Sequence, residues 1–165
     1  MNKYTIEQSG RSMIEMLGVL AIVGVLSVAG IAGYSKAMAK YKTNKVVDQI
    51  TMTAANIRTT FAGQGNYNGL TNEVAHNLGV FPEEMDKDWG GSGSKAVKKA
   101  MNAMGGQMYV AQAKDNKYAF DMVVDGLSKD ACSTLATADW GSAAGFWEFT
   151  AGIGQSIMDN AGVAD

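Results

Sequence analysis

Hydrophobic and polar residues follow two different regimes along this chain, and the regimes meet near residue 35. From Met16 to Ser35 no residue is charged, and apolar side chains fall on every side of a helix instead of one. Twenty helical residues at 1.5 Å each span roughly 30 Å, the thickness of a bilayer's hydrocarbon core. Beyond Ser35 the apolar positions thin to a stripe. Val47, Ile50, Ala54, Ile57 and Phe61 recur at spacings of 3, 4, 3 and 4, the period of a helix with one packed face. Asp48, Gln49, Thr51, Asn56 and Arg58 lie between them and are assigned to the other faces. No proline precedes Pro82, so the pattern predicts one uninterrupted helix from about Met13 to Phe61. Residues 11–35 form its transmembrane half and residues 36–61 its amphipathic half, whose stripe packs on a folded head.

The head, residues 62–165, has shorter periods. The run from Gly63 to Gly69 carries turn residues that end the helix. Thr71 is placed to cap a short helix through Leu78, with Gly79 as its stop, and His76 in it has a surface or packing role. Phe81 to Asp88 reads as an acidic loop or a single helical turn, and Gly90 to Ser94 as a flexible linker. Ser94 to Met104 is expected as a helix, with Val97, Met101 and Met104 on one side. Gln107 to Lys114 and Lys117 to Val124 alternate as two strands joined by a turn at Asp115-Asn116. Tyr118, Phe120, Met122 and Val124 form the apolar face of the second, opposite Ala119, Asp121 and Val123. Gly126 breaks it, and Ser128 caps a helix through about Thr137 that includes Cys132 and Leu135. Gly145 to Thr150 is a further candidate strand, and Gly152 to Asp165 a loosely ordered tail. The expected fold is therefore α+β: a long N-terminal helix packed on a small antiparallel sheet.

Charge sharpens this division. Residues 36–60 hold five basic side chains (Lys36, Lys40, Lys42, Lys45 and Arg58) against one acid, Asp48. Residues 61–165 hold seven lysines against thirteen acids. A basic stem thus carries an acidic head, which argues against nucleic acid as the head's partner. It suits contact of the stem with anionic lipid or with neighbouring acids. The single cysteine, Cys132, forms no internal disulfide, and neither a second cysteine nor a spaced histidine completes a zinc site. Asp121, Asp125, Asp130, Asp139 and Asp159 are dispersed and lack the spacing of a calcium loop. The glycines at 90–94 are not followed by Gly-Lys-Ser or Gly-Lys-Thr, so no phosphate loop is expected. No nucleophile–base pair stands out, so neither catalysis nor a cofactor or metal is expected.

The N-terminal boundary of the apolar run is the most informative stretch. Residues 1–10 are too polar for a secretory apolar region, and a small-residue site, Ser9-Gly10, precedes the hydrophobic segment instead of following it. Cleavage there would leave the apolar helix on the mature chain. Glu15 stands at the mouth of the run. On its own it reads as an acid near a helix N-terminus, favoured by the exposed N–H groups and the dipole. An acid among apolar neighbours is also costly unless it is paired.

Ser9-Gly10, a short gap, Glu15 as the fifth residue after Gly10 and an unbroken apolar stretch together resemble the N-terminus of type IV pilins and pseudopilins. The resemblance covers about residues 6–60. It implies that 1–10 is a leader, that a prepilin peptidase cuts between Gly10 and Arg11, and that Glu15 pairs with the N-terminal amine, here of Arg11, of a neighbouring subunit during assembly. That family usually has Phe, Met or Leu after the cut, where this chain has Arg11. The segment Leu127 to Trp140 is similar to the head of class B or conjugative thin-pilus pilins, in which a cysteine-bearing helix follows the sheet. Those heads close a loop by a disulfide near the C-terminus, and this chain has no second cysteine.

The resemblance further implies a pilin that polymerises into a helical homo-oligomeric filament with the help of pilus assembly machinery. The alternative is a pseudopilin of a type II secretion or DNA-uptake machine. It places the chain in a bacterial inner membrane before assembly, N-terminus in the cytoplasm, and in an extracellular pilus or periplasmic pseudopilus afterwards. A positive-inside count slightly favours the opposite orientation, because Lys36, Lys40, Lys42 and Lys45 flank the far end of the run. Gly18, Gly24, Ala29, Gly30 and Gly33 supply small side chains within it, and Ala29 and Gly33 form one small-xxx-small pair.

Overall fold

The fold is seen in a computed structural model that describes residues 11–89 and 97–140. The predicted leader, the linker at Gly90–Ser94, the candidate strand at Gly145–Thr150 and the tail at Gly152–Asp165 lie outside the described residues. Helix α1 runs without interruption from Arg11 to Phe61. The chain divides into two units, and the boundary falls inside α1 between Lys40 and Tyr41.

In the first unit every described residue from Met13 to Ala37 is exposed. The large apolar side chains of that stretch range from 52% exposed at Val23 to 75% at Ile14. Of the described helices it is the one long and apolar enough to cross a membrane. Its two internal hydroxyls are satisfied within the helix: Ser27 Oγ donates to the Val23 carbonyl at 2.7 Å and Ser35 Oγ to the Ile31 carbonyl at 3.0 Å. A hydroxyl bonded one turn back tolerates hydrocarbon, where an unpaired polar group costs several kcal/mol.

The second unit is an α+β head built on the last five turns of α1. Val46, Ile50, Ala54, Ile57 and Phe61 are buried there, in a core shared with Leu70, Val80, Phe81, Met85, Met108, Val110 and Leu135. Four of the five predicted stripe positions are thus in the core. Val47 is only partly buried, and its neighbour Val46 takes the central place. Both valines fit the spacing; the choice depends on how the helix is rotated against the sheet. The same rotation buries Gln49 and Thr53, so Gln49, expected on another face, is 3% exposed.

After α1, Thr71 caps α2 (Asn72–Asn77) by accepting the Val74 amide, and Gly79 closes it at φ +65, as expected. His76 is buried, its ring 4.6 Å from that of Phe81. Packing is therefore its role. The sheet is an antiparallel meander in the order β1-β2-β3-β4: β1 (Asp86–Trp89), β2 (Val97–Met101), β3 (Gln107–Ala113) and β4 (Asn116–Val124). Two elements differ from expectation here. The end of the acidic loop at 81–88 becomes β1, and the predicted helix at 94–104 is β2 followed by a loop. Val97, Met101 and Met104 satisfy a helical period, but five residues cannot outweigh a ladder. β2 pairs with β1 from Asp86↔Ala100 to Trp89↔Val97 and with β3 at Ala100↔Met108. Local propensity is weak against such pairing.

The β3–β4 hairpin forms where predicted, but its turn is Lys114-Asp115, one residue early, with Ala113 opposite Asn116. Two-residue hairpins favour turns with positive φ, which demand Gly or Asn. Among the described residues no non-glycine residue adopts positive φ, and the ladder carries a register shift at Gln112/Ala113 beside the turn. Phe120, Met122 and Val124 pack on the core, whereas Tyr118, beside the hairpin turn, is 65% exposed. Helix α3 (Lys129–Ala136) is capped by Ser128 and inserts Ala131 and Leu135, while Cys132 is half-buried and outside any disulfide.

The loop between β2 and β3 is fixed by Asn102. This buried side chain donates to the Asp125 carbonyl at 2.9 Å and accepts from the Met104 and Gly106 amides. Asp125 in turn accepts the Gln107 amide through its carboxylate. At this crossing Gly106 and Gly126 lie back to back, and a Cβ on Gly106 would overlap the Asp125 carbonyl. Gly106→Ala should therefore cost about 1–3 kcal/mol through forced backbone movement. Denaturant titration of the detergent-solubilised chain reads this as a lower midpoint. On β4, desolvation raises the pKa of Asp121 above the usual carboxylate value. A raised carboxylate opposes folding once ionised, so its penalty is absent below the ordinary pKa of about 3.9 and fully present above the folded value. Asp121→Asn should therefore raise the melting temperature at neutral pH, and the gain should vanish near pH 3.

Candidate assembly helix

Helix α1 holds all the residues singled out for assembly. Arg11 is its first residue, and Gly10, on the other side of the predicted cut, lies outside the described residues. Because α1 starts two residues earlier than the pattern suggested, its first turn holds no acid, and Glu15 is the fifth residue of the helix. Direct capping of the free N–H groups is weaker from there, since the dipole's influence falls off within the first turn. Glu15 is exposed and carries no ion pair among the described residues. No other acid occurs between it and Asp48. It stands beside Ile14 and Met16, both more than half exposed. In hydrocarbon or in a packed helix bundle, this carboxylate is costly as an anion unless a cation pairs with it.

The helix is also smooth. A Cβ added at Gly18, Gly24, Gly30 or Gly33 would meet nothing within 4 Å. Packing within the chain therefore gives no reason for these glycines. Nor does it for the exposed apolar ring around them.

At the other end α1 is tied to the head by polar contacts that periodicity did not reveal. Gln49 accepts the Ala103 amide at 3.0 Å through Oε1 and donates from Nε2 to Glu84 Oε1 at 3.1 Å. Lys45 Nζ lies 2.7 Å from Glu84 Oε2. That hydrogen bond is the main cause of the raised Lys45 pKa. Asn56 donates to the Val80 carbonyl at 2.8 Å. Each contact answers a backbone or side-chain group in the loops after α2 and β2. An exposed ion pair such as Lys45–Glu84 contributes little by itself. Gln49 is the stronger element, because it is buried and a lost partner would leave an amide unsatisfied. Its signal in the sequence was its position, three residues after Val46 and four before Thr53, on the face that the valine defines.

The described residues contain no group of three or more side chains arranged to hold a metal. What they offer is a surface and a scaffold: an apolar helix with one unpaired acid, and a head fastened to the stem. No curated protein and no solved structure matches the chain. A family model described as PilS N terminal matches residues 40–164, so the match begins at the unit boundary and takes in the head. It covers well over half of the sequence, and it agrees with the resemblance carried independently by Gly10, Glu15 and the apolar run. The chain belongs to the PilS N-terminal family, a pilin-type family, and is a pilus-related protein.

Proposed function

We propose that the protein is a structural pilin, a subunit that polymerises through α1 into a type IV-like filament. The observation that carries this reading is the complete exposure of Met13 to Ala37 on a chain whose head belongs to a pilin-type family. About seven turns of apolar helix have no partner within the described chain. Their exposed surface is favourable only in lipid or against other copies. A prepilin peptidase cuts after Gly10, and the new α-amino group of Arg11 is the cation that Glu15 of a neighbouring subunit needs. Pairing removes the penalty of a buried carboxylate and fixes the axial register between subunits, since an apolar helix alone would slide. Before assembly the same helix is the membrane anchor, with the N-terminus in the cytoplasm and the head on the opposite side.

Two experiments test this reading. Co-expression with a prepilin peptidase should yield a mature protein whose N-terminal sequence begins at Arg11. An intact Met1, or a cut beyond the apolar run, overturns the assignment. Glu15→Val should insert into membranes normally yet lower filament yield at least about tenfold, because an unpaired amine in the bundle costs on the order of 3 kcal/mol. Electron microscopy of sheared surface filaments reads the yield. Filaments of normal abundance from this variant would show that Glu15 has no role in assembly. Short filaments confined beneath the outer membrane would favour a pseudopilin over a pilus.

A further inference from the structure

The exposed lysines just past the apolar run are not explained by polymerisation. Lys36, Lys40 and Lys42 are exposed and carry no ion pair among the described residues, whereas Lys45 is held by Glu84. No acid lies between Glu15 and Asp48, so three positive charges stand within seven residues with nothing local to balance them. Two tyrosines accompany them, Tyr34 and Tyr41, 67% and 60% exposed and seven residues apart on one side of the helix.

We infer that this segment is a binding surface for anionic phospholipid headgroups in the leaflet on the head's side of the membrane. The inference rests on the reading that Met16–Ser35 spans a bilayer. The uncharged run then fills the hydrocarbon core, about 30 Å, and Lys36 emerges at its edge. Lys40 and Lys42 follow about 6 and 9 Å further along the axis, at the depth of the phosphates. Lysine stems can lie along apolar surface while their ammonium groups reach phosphate. Tyrosines at this level are typical of a membrane–water interface.

Charge complementarity selects the lipid over a second copy in the membrane. Copies inserted side by side present Lys36, Lys40 and Lys42 at the same depth, where they repel one another. The nearest acids sit on the head's side of that level: Glu84 is engaged by Lys45, and Asp48 lies about 9 Å past Lys42 along the axis, so neither faces the Lys36 and Lys40 of a copy inserted beside it. A bilayer with anionic headgroups neutralises all three lysines at once. It also balances a basic flank on the side of the membrane where lysine is normally disfavoured. A subunit leaving the membrane must then exchange these lipids for other partners, so lipid charge becomes a control on subunit supply.

The test uses the full chain reconstituted in phosphatidylcholine vesicles with trace spin-labelled phosphatidylglycerol or phosphatidylcholine. Electron spin resonance reads the motionally restricted fraction of each. Phosphatidylglycerol should be preferred, by up to about fivefold per lysine at low salt. Raising salt to about 0.5 M, where screening acts over only a few ångströms, should largely abolish the preference. The triple variant Lys36→Gln, Lys40→Gln, Lys42→Gln should show near-equal association, and the triple arginine variant should keep the preference. An alkaline wash that strips the wild-type chain from vesicles would refute the membrane reading and the inference with it. An inserted chain that binds both lipids equally, or a glutamine variant that keeps its selectivity, would overturn the lipid surface alone. Loss of subunit–subunit cross-links in the glutamine variant, with lipid selectivity unchanged, would assign the lysines to a second copy instead.

Discussion

One helix must satisfy two environments, and the rest of the structure depends on how it does so. Over Met13–Ala37 α1 is apolar on all sides and nothing in the described chain covers it. Over its last turns only one side is apolar, and that side is filled by the head. A water-soluble helix of the first kind would be insoluble, and a membrane helix of the second kind would bury lysines, aspartate and glutamine in hydrocarbon. The change of regime near residue 35 assigns each part of the helix its solvent.

The head is small, and its order comes from a few well-placed constraints. Ile57, Leu70, Met85, Met108 and Leu135 are fully buried and bring residues from two helices and three loop or strand segments into one core. Around that core, polar side chains fasten loops that have little apolar content of their own. Gln49 holds the segment at Ala103, Asn56 holds Val80, and Asn102 closes the turn before β3. Phe61, Tyr67 and Phe120 meet in sequence, the first pair tilted and the second edge to face, with centroids 6.0 and 4.8 Å apart, where α1 ends against the sheet. The result is a head whose attachment to the stem uses both apolar burial and directional hydrogen bonds.

Function follows from this division of labour. The family match takes in the head and makes the chain pilus-related, and the N-terminal motif and apolar run are the ground for proposing α1 as the element through which copies meet. The chemistry that matters is electrostatic: Glu15 unpaired at one end of the apolar helix, uncompensated lysines at the other, and a smooth apolar surface between them. On the proposed reading such a helix binds whatever completes its charges, lipid in a membrane and another subunit in a filament.

The sequence by itself determined the long helix, its change of character near residue 35, both capped short helices and the β3–β4 pair. These follow from local rules: an apolar run of membrane length, Thr71 and Ser128 as caps, and strict alternation from Tyr118 to Val124. It also determined most of the packing stripe, because Ile50, Ala54, Ile57 and Phe61 can share only one face. Tertiary structure decided the rest. Val46 displaced Val47 and brought in Gln49 and Thr53, because spacing fixes a face only to within about one residue, and the rotation of a helix is set by what it packs against. β2 replaced a predicted helix because Val97 and Met101 fit either period, and the neighbouring strands supplied the hydrogen bonds that a short helix could not match. The hairpin turn moved one residue because the ladder pairs Ala113 with Asn116 and shifts register at Gln112/Ala113, which the alternation of the two strands does not reveal. Local chemistry wrote the elements; contacts between residues far apart in the chain chose their register.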